Sequence, residues 1–186
     1  DTKFVPMLKT YCVFNIEEID GLPAETEEEV PVVPVSPIEA AELIIKNMQN
    51  APSLSHGGNR ASYSPSADAV KMPEMTDFHS PEGYYSTLFH EFVHSTGHLS
   101  RLSRDGVTKA INFGSNPYAK EELIAEMGAA FLCAQIGIDA PVIDNSAAYI
   151  QSWIKCLKTD SRAVFQAASA AQKAVDYINN KTFEEA

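Results

Sequence analysis

Three residues carry the strongest chemical signal in this 186-residue chain: His90, Glu91 and His94, spaced H-E-x-x-H within YYSTLFHEFVHSTG, residues 84–97. On a helix, residues four apart lie one turn above each other, so both imidazoles leave the same side and can grip one metal ion, zinc above all. Glu91 then stands beside the metal as the acid able to take a proton from water. With His90 at zero, the helical period puts His94 near about 40° and Glu91 near about 100°, while Tyr85, Leu88, Phe89, Phe92, Val93 and Thr96 fill roughly the 160–300° sector. The segment predicts a helix with one chemical face and one core face. An accidental copy of the motif would not ordinarily set its apolar residues on the far side.

A hydrolytic zinc takes three protein ligands and keeps one open position. The longer pattern H-E-x-x-H-x-x-G-x-x-H is matched as far as Gly97, but its last place is Ser100, so that ligand set fails. His98 would project near about 80° if the helix ran on. It follows a glycine that should divert the chain, so His98 is expected to support a ligand by a hydrogen bond or to line the cleft, with ligation as the alternative. The better candidate lies on the next predicted helix, NPYAKEELIAEMGAAFLCAQ, residues 116–135. Glu122 and Glu126 are four apart and share a face, and Gly128 and Ala129 are small enough to let two helices cross closely. This resembles the gluzincin arrangement, in which the first acid binds metal and the acid one turn later hydrogen-bonds a ligand histidine. Glu122 is then the third ligand and Glu126 the partner that fixes an imidazole tautomer; the reverse assignment also fits the spacing. Glu121, about 100° off that face, is expected in solvent. Tyr118 and His98 are the candidate donors to an oxyanion. Cys133 shares the stripe but lies three turns on, which predicts a core position.

The surrounding segments must hold these helices together. Residues 3–16 (KFVPMLKTYCVFNI) read as one or two short strands closed by an Asp20-Gly21 turn. Residues 25–37 join an acidic run to three prolines and predict an exposed extended connector. Ser36 as N-cap and Pro37 at the first helical position open a helix to about Asn50, with Ile38, Ala41, Ile45 and Met48 on one side. Residues 60–72 alternate on both sides of Pro65-Ser66 and predict a hairpin just upstream of the H-E-x-x-H helix, a strand of which would line a peptide-binding cleft. His56, in a glycine-rich loop, and His79 are expected to be exposed. Ser80, Pro81 and Glu82 start the H-E-x-x-H helix, and Gly97 is expected to end it in a left-handed conformation. Residues 99–116 read as a polar loop, and Gly137 terminates the second helix. Two further helices follow over 144–180, broken near Thr159, with Asp160 or Ser161 as a cap. Tyr149, Trp153, Ile154, Leu157, Val164, Phe165, Ala168, Ala171 and Val175 are their expected core contacts. The reading is an α+β domain spanning 1–186: N-terminal strands and connector over 1–36, and a mainly helical core with a small antiparallel sheet over 37–186.

Composition narrows the partners. A formal charge of −11 argues against this segment gripping a phosphate backbone, which needs clustered Lys and Arg. Three scattered cysteines form neither a disulfide framework nor a C-x-x-C metal knuckle, which points to a reducing compartment. No apolar run approaches the roughly 18 residues of a membrane span. The chain starts with Asp1 rather than Met, so further sequence is expected upstream.

The blocks VFNIEEIDGLP, GGNRASYSPSADAVKMP, YYSTLFHEFVHSTGH, YAKEELIAEMGAAFLCAQIGI and SWIKCLKTDSRAVFQAASAAQKAVDY resemble the C-terminal zincin-like metallopeptidase domain of ArdC-type antirestriction proteins, also attached to some plasmid primases. The resemblance covers nearly the whole chain; the acidic, proline-rich stretch over 25–37 is a local departure from it. It implies a gluzincin-type fold and one zinc ion held by His90, His94 and Glu122, with Glu91 as general base for peptide hydrolysis. It also implies a protein or peptide substrate and a bacterial cytoplasmic setting on plasmids or conjugative elements. Single-stranded DNA would be bound only by an N-terminal domain absent from this chain. The competing reading is a non-catalytic, zinc-stabilised interaction domain that supports the antirestriction activity of a larger protein. A third, direct nucleic-acid binding by this domain, predicts a steep salt dependence that the acidic balance disfavours.

Overall fold

The computed structural model of the chain describes residues 36–109, 116–138 and 162–181, with Ile154 and Lys158. The chain divides into Asp1–Pro34 and Val35–Ala186, and all of these residues belong to the second unit. The expected N-terminal strands, the Asp20-Gly21 turn, nearly all of the acidic connector, Tyr149, Trp153, Leu157 and the Asp160 or Ser161 cap lie outside the described residues.

Helix α1, Pro37–Asn47, begins as its punctuation requires: the Ser36 hydroxyl accepts from the Glu39 amide while the Glu39 carboxylate accepts from the Ser36 amide, a reciprocal capping box. It ends three residues earlier than expected. Ala41 and Met48 are buried, and Ile38 and Ile45 pack against the same core.

Three short strands follow: β1, Ser53–His56; β2, Ser62–Ser64; and β3, Ala69–Met72. The hairpin expected around Pro65-Ser66 is present, with β2 antiparallel to β3 and Tyr63 opposite Val70. The sheet as a whole is mixed, in the order β1-β3-β2, because β1 pairs with β3 in parallel. Strand β1 reads SLSH and is exposed along its length, so it lacks the alternation that marks a half-buried strand. Val70 and Met72 of the central strand point into the core.

Helix α2, Pro81–Thr96, is the H-E-x-x-H helix. The Ser80 hydroxyl accepts from the Gly83 amide at 3.1 Å and Pro81 opens the first turn, as expected. Tyr85, Leu88, Phe89, Phe92, Val93 and Thr96 are all buried, as the helical projection required. At roughly 1.5–3 kcal/mol per large apolar side chain, this face dominates the burial that holds the helix. The end of α2 is a correction: Gly97 sits at φ −75°, ψ −6°, which is right-handed and open to any residue. Glycine is required there by proximity, since a Cβ would lie 2.5 Å from Val107 Cγ2. Val107 belongs to α3, Asp105–Thr108, a single turn inside what read as a polar loop.

Helix α4, Asn116–Gln135, crosses α2, and α5, Ala163–Ile178, packs on α4 and α2. Gly137 at φ +73° follows the end of α4, the left-handed position that glycine tolerates. Cys133 is a buried free thiol, as expected. In α5 the buried stripe begins with Ala163, Ala167, Ala171 and Ala174, small residues that permit close helix approach, and is completed by Val175, Asp176 and Ile178. Phe165, expected in the core, falls off that stripe and is 72% exposed, and Ile154 is likewise exposed.

The α2–α4 crossing is tight at Gly128, where a Cβ would lie 2.7 and 2.9 Å from the two methyls of Val93. The valine cannot swing away without leaving the core. Gly128→Ala is therefore expected to cost roughly 1–3 kcal/mol by overpacking; a melting temperature equal to wild type would refute this tight crossing.

Beyond α2, the guanidinium of Arg101 has no exposed surface. It donates to the carbonyls of Ser95 at 2.7 Å and Asn50 at 2.8 Å, and it is ion-paired with Asp68 at the hairpin turn. The Tyr63 hydroxyl donates to the same carboxylate; burial first, then its bond to Asp68, push that phenol up to about 12. Asp68 itself sits at φ +46°, a conformation that Asp tolerates better than bulkier residues. Among the described residues no helix is long and apolar enough to cross a membrane.

Candidate metal centre

Helices α2 and α4 bring His90, His94 and Glu122 together. The two Nε2 atoms are 3.1 Å apart, Glu122 Oε2 lies 3.6 Å from His90 Nε2, and Glu122 Oε1 lies 3.6 Å from His94 Nε2. A tetrahedron with metal–ligand bonds of ~2.0–2.1 Å has edges of about 3.3–3.4 Å. The observed separations lie close to those edges, so the three side chains can hold a divalent ion, and they form the metal-holding cluster found among the described residues. Glu91 lies on the next helical position after His90 and is 8% exposed.

Each imidazole also has a carboxylate behind it. Glu126 Oε1 is 3.5 Å from His90 Nδ1, and Glu121 Oε1 is 3.3 Å from His94 Nδ1. The position of Glu121 is a correction: expected in solvent, it is 5% exposed. Its burial is tolerated because Arg104, from the turn leading into α3, donates to both oxygens, at 2.6 Å from Nη2 and 3.1 Å from Nε. Sequence reading missed this pair because Arg104 sits in a segment without periodicity. One signal was available: two ligand histidines call for two Nδ1 partners, and Glu126 can serve only one of them.

The charges follow from these contacts. Burial alone would depress the His90 imidazole, but its bond to Glu122 and the charges of Glu126, Glu91 and Glu122 hold it above its ordinary value. Burial would raise Glu122, yet His90, His94 and a hydrogen bond from Tyr118 hold it below the usual carboxylate range. Glu121 is likewise held low, against burial, by His94 and Arg104. Burial, with the negative charge of Glu122 added, lifts Glu126 against the pull of His90. A site with two carboxylates kept ionised beside two imidazoles is electrostatically suited to a cation.

The remaining expected residues are spread around this centre. Tyr118, in the first turn of α4, is engaged with Glu122. His98 lies outside the three-donor cluster; its Nδ1 contacts the Ser100 hydroxyl at 2.8 Å, and it lines a cavity of about 410 Å³ with Pro65, Ser66, Leu99 and Val107. His56 is exposed as expected but closes β1 rather than sitting in a loop, its Nε2 2.8 Å from the Tyr84 hydroxyl on α2. His79 is exposed.

Comparison with known proteins agrees with this architecture. The sequence model of the zincin-like metallopeptidase family matches residues 39–170, and the chain belongs to that family. It is a zincin-like domain of the kind found in ArdC-type proteins: it superposes on the antirestriction protein ArdC of plasmid R388 with a TM-score of 0.73 and 40% identity. The match covers 95% of this chain and 63% of that one, which was solved with Mn(II) bound. The metal-free structure of the same protein gives a TM-score of 0.71. The chain is also 39% identical over 170 residues to the uncharacterized protein y4eC of Sinorhizobium fredii, covering 91% of this chain and 53% of that protein. It is 42% identical over 167 residues to the DNA primase TraC of Escherichia coli, covering 89% of this chain and 15% of the primase. The chain thus spans about half the length of one curated relative and a small part of the other.

Proposed function

We propose that this domain is a zinc-dependent peptidase in which His90, His94 and Glu122 hold the metal and Glu91 is the general base. The observation that carries this reading is the convergence of two Nε2 atoms and one carboxylate at 3.1–3.6 Å, with Glu91 buried on the adjoining helical position. The Mn(II) of the ArdC structure supports a divalent ion here, and two imidazoles with one carboxylate are a donor set that suits zinc. Bound there, the ion would supply Lewis acidity, drawing the pKa of a water toward ~7 and polarising the scissile carbonyl.

The chain's own groups do the rest. Glu91 accepts the proton of the attacking water and returns it to the leaving amine. Tyr118, through its hydrogen bond, holds the Glu122 carboxylate in the orientation that ligation needs, and it is the donor proposed for a developing oxyanion. Glu126 keeps the His90 ring turned with Nε2 inward. The substrate is a protein or peptide, and the setting is the bacterial cytoplasm, in keeping with the free Cys133 thiol. Antirestriction, and any contact with single-stranded DNA, would be carried by a larger protein; the antirestriction protein ArdC is one that this chain covers to 63%.

Removal and return of metal test the proposal. Chain stripped with 1,10-phenanthroline is expected to lose cleavage of an unstructured protein such as casein, and one equivalent of zinc should restore it. Cleavage that survives stripping, or none from chain carrying one zinc per molecule, overturns the peptidase reading.

A further inference from the structure

Glu121 is a buried acid that neither ligates nor catalyses in the reading above. We propose that Glu121, clamped by Arg104, is a positioning residue that fixes His94 with Nδ1 protonated and Nε2 turned to the metal. Metal affinity is then set partly from a turn outside the two crossing helices. The inference rests on the proposed ligation by His90, His94 and Glu122.

An ionised carboxylate only accepts hydrogen bonds, and a neutral imidazole carries one N–H. With Glu121 Oε1 3.3 Å from His94 Nδ1, the proton belongs on Nδ1 and the lone pair on Nε2, the atom that faces His90 and Glu122. Arg104 sets where the carboxylate stands. Besides its two bonds to Glu121, it donates from Nη1 to the Thr96 hydroxyl at 2.6 Å and from Nη2 to the Val93 carbonyl at 2.8 Å. One guanidinium thereby ties the last turn of α2, which bears His94, to the first half of α4, which bears Glu121 and Glu122.

The backbone is shaped around this clamp. A Cβ on Gly106 would lie 2.7 Å from Glu121 Oε2 and 2.8 Å from Glu121 Cβ, and one on Gly97 would strike Val107. Two glycines thus press the turn carrying Arg104 against both helices at the point where the acid is held. On the other side, Glu126 stands 3.5 Å from His90 Nδ1, so both ligand rings are braced by acids of α4.

The test is the zinc affinity of folded, metal-free protein, measured by competition with a chromophoric chelator. Removing a partner of this kind typically weakens metal binding about 10–100-fold, and Glu121→Ala is expected to fall in that range. His94→Ala is the control and should lose more. Glu121→Ala binding zinc as wild type does, while His94→Ala has lost it, overturns the positioning role and leaves the metal site standing. His94→Ala binding zinc unchanged overturns the ligation itself. Should Glu121→Ala fail to fold, the unmodified apoprotein still decides. Its ¹⁵N spectrum is expected to show His94 as the Nδ1–H tautomer, and the Nε2–H tautomer would overturn the proposal.

Discussion

Glu91→Gln is expected to leave zinc bound at one ion per chain and to lower kcat for peptide hydrolysis by about 10²–10⁴-fold, the range that a general base contributes. The argument is geometric first. Glu91 follows His90 on α2, so it borders the chemical face without being one of the three convergent donors, and it is 8% exposed. Glutamine has the same shape and fits the same space, but its amide cannot take a proton from water. Metal content and folding should therefore match wild type while turnover does not. Unchanged hydrolysis by the variant would remove Glu91 from the mechanism, and lost metal would make it structural.

Glu122→Ala is expected to abolish tight metal binding. A structural zinc site yields on the order of 10–16 kcal/mol from four ligands, so removing one ligand should weaken affinity by about 10²-fold or more. The variant also leaves His90 and His94 without the carboxylate that lies 3.6 Å from each Nε2. A ligand that binds only the folded state stabilises it by about 2.7 kcal/mol when present at 100 times its Kd. Wild type should consequently melt higher when micromolar zinc is added, whereas Glu122→Ala should show no such shift. An equal shift in both proteins would place the metal elsewhere.

What the sequence made legible were features whose cause is local. The H-E-x-x-H helix follows from Ser80, Pro81 and a 3.6-residue period, and all six residues assigned to its core face are buried. The approach of α4 at Gly128 could be read from residue size alone, since a small side chain at a crossing admits little else. The turn at Pro65-Ser66 was equally plain. What stayed hidden depended on partners far along the chain. Strand β1 is held by its pairing with β3 and carries no pattern of its own. Gly97 is needed for the nearness of Val107, ten residues on, and not for its own backbone angles. Glu121 looked like a surface acid because the arginine that neutralises it lies 17 residues earlier. Phe165, expected among the core contacts of its helix, is exposed because close packing of α5 favours alanine.

Arg101 has an implication for how this domain can change over evolutionary time. Its hidden guanidinium is shared by three stretches of the chain: the Asn50 carbonyl just past the first helix, the Asp68 carboxylate in the hairpin turn and the Ser95 carbonyl on the helix that bears His90 and His94. A drift in the angle between hairpin and helix would break all three attachments together, so this corner of the domain is inherited as one piece. Variation among related domains must then arise in segments that this side chain does not hold.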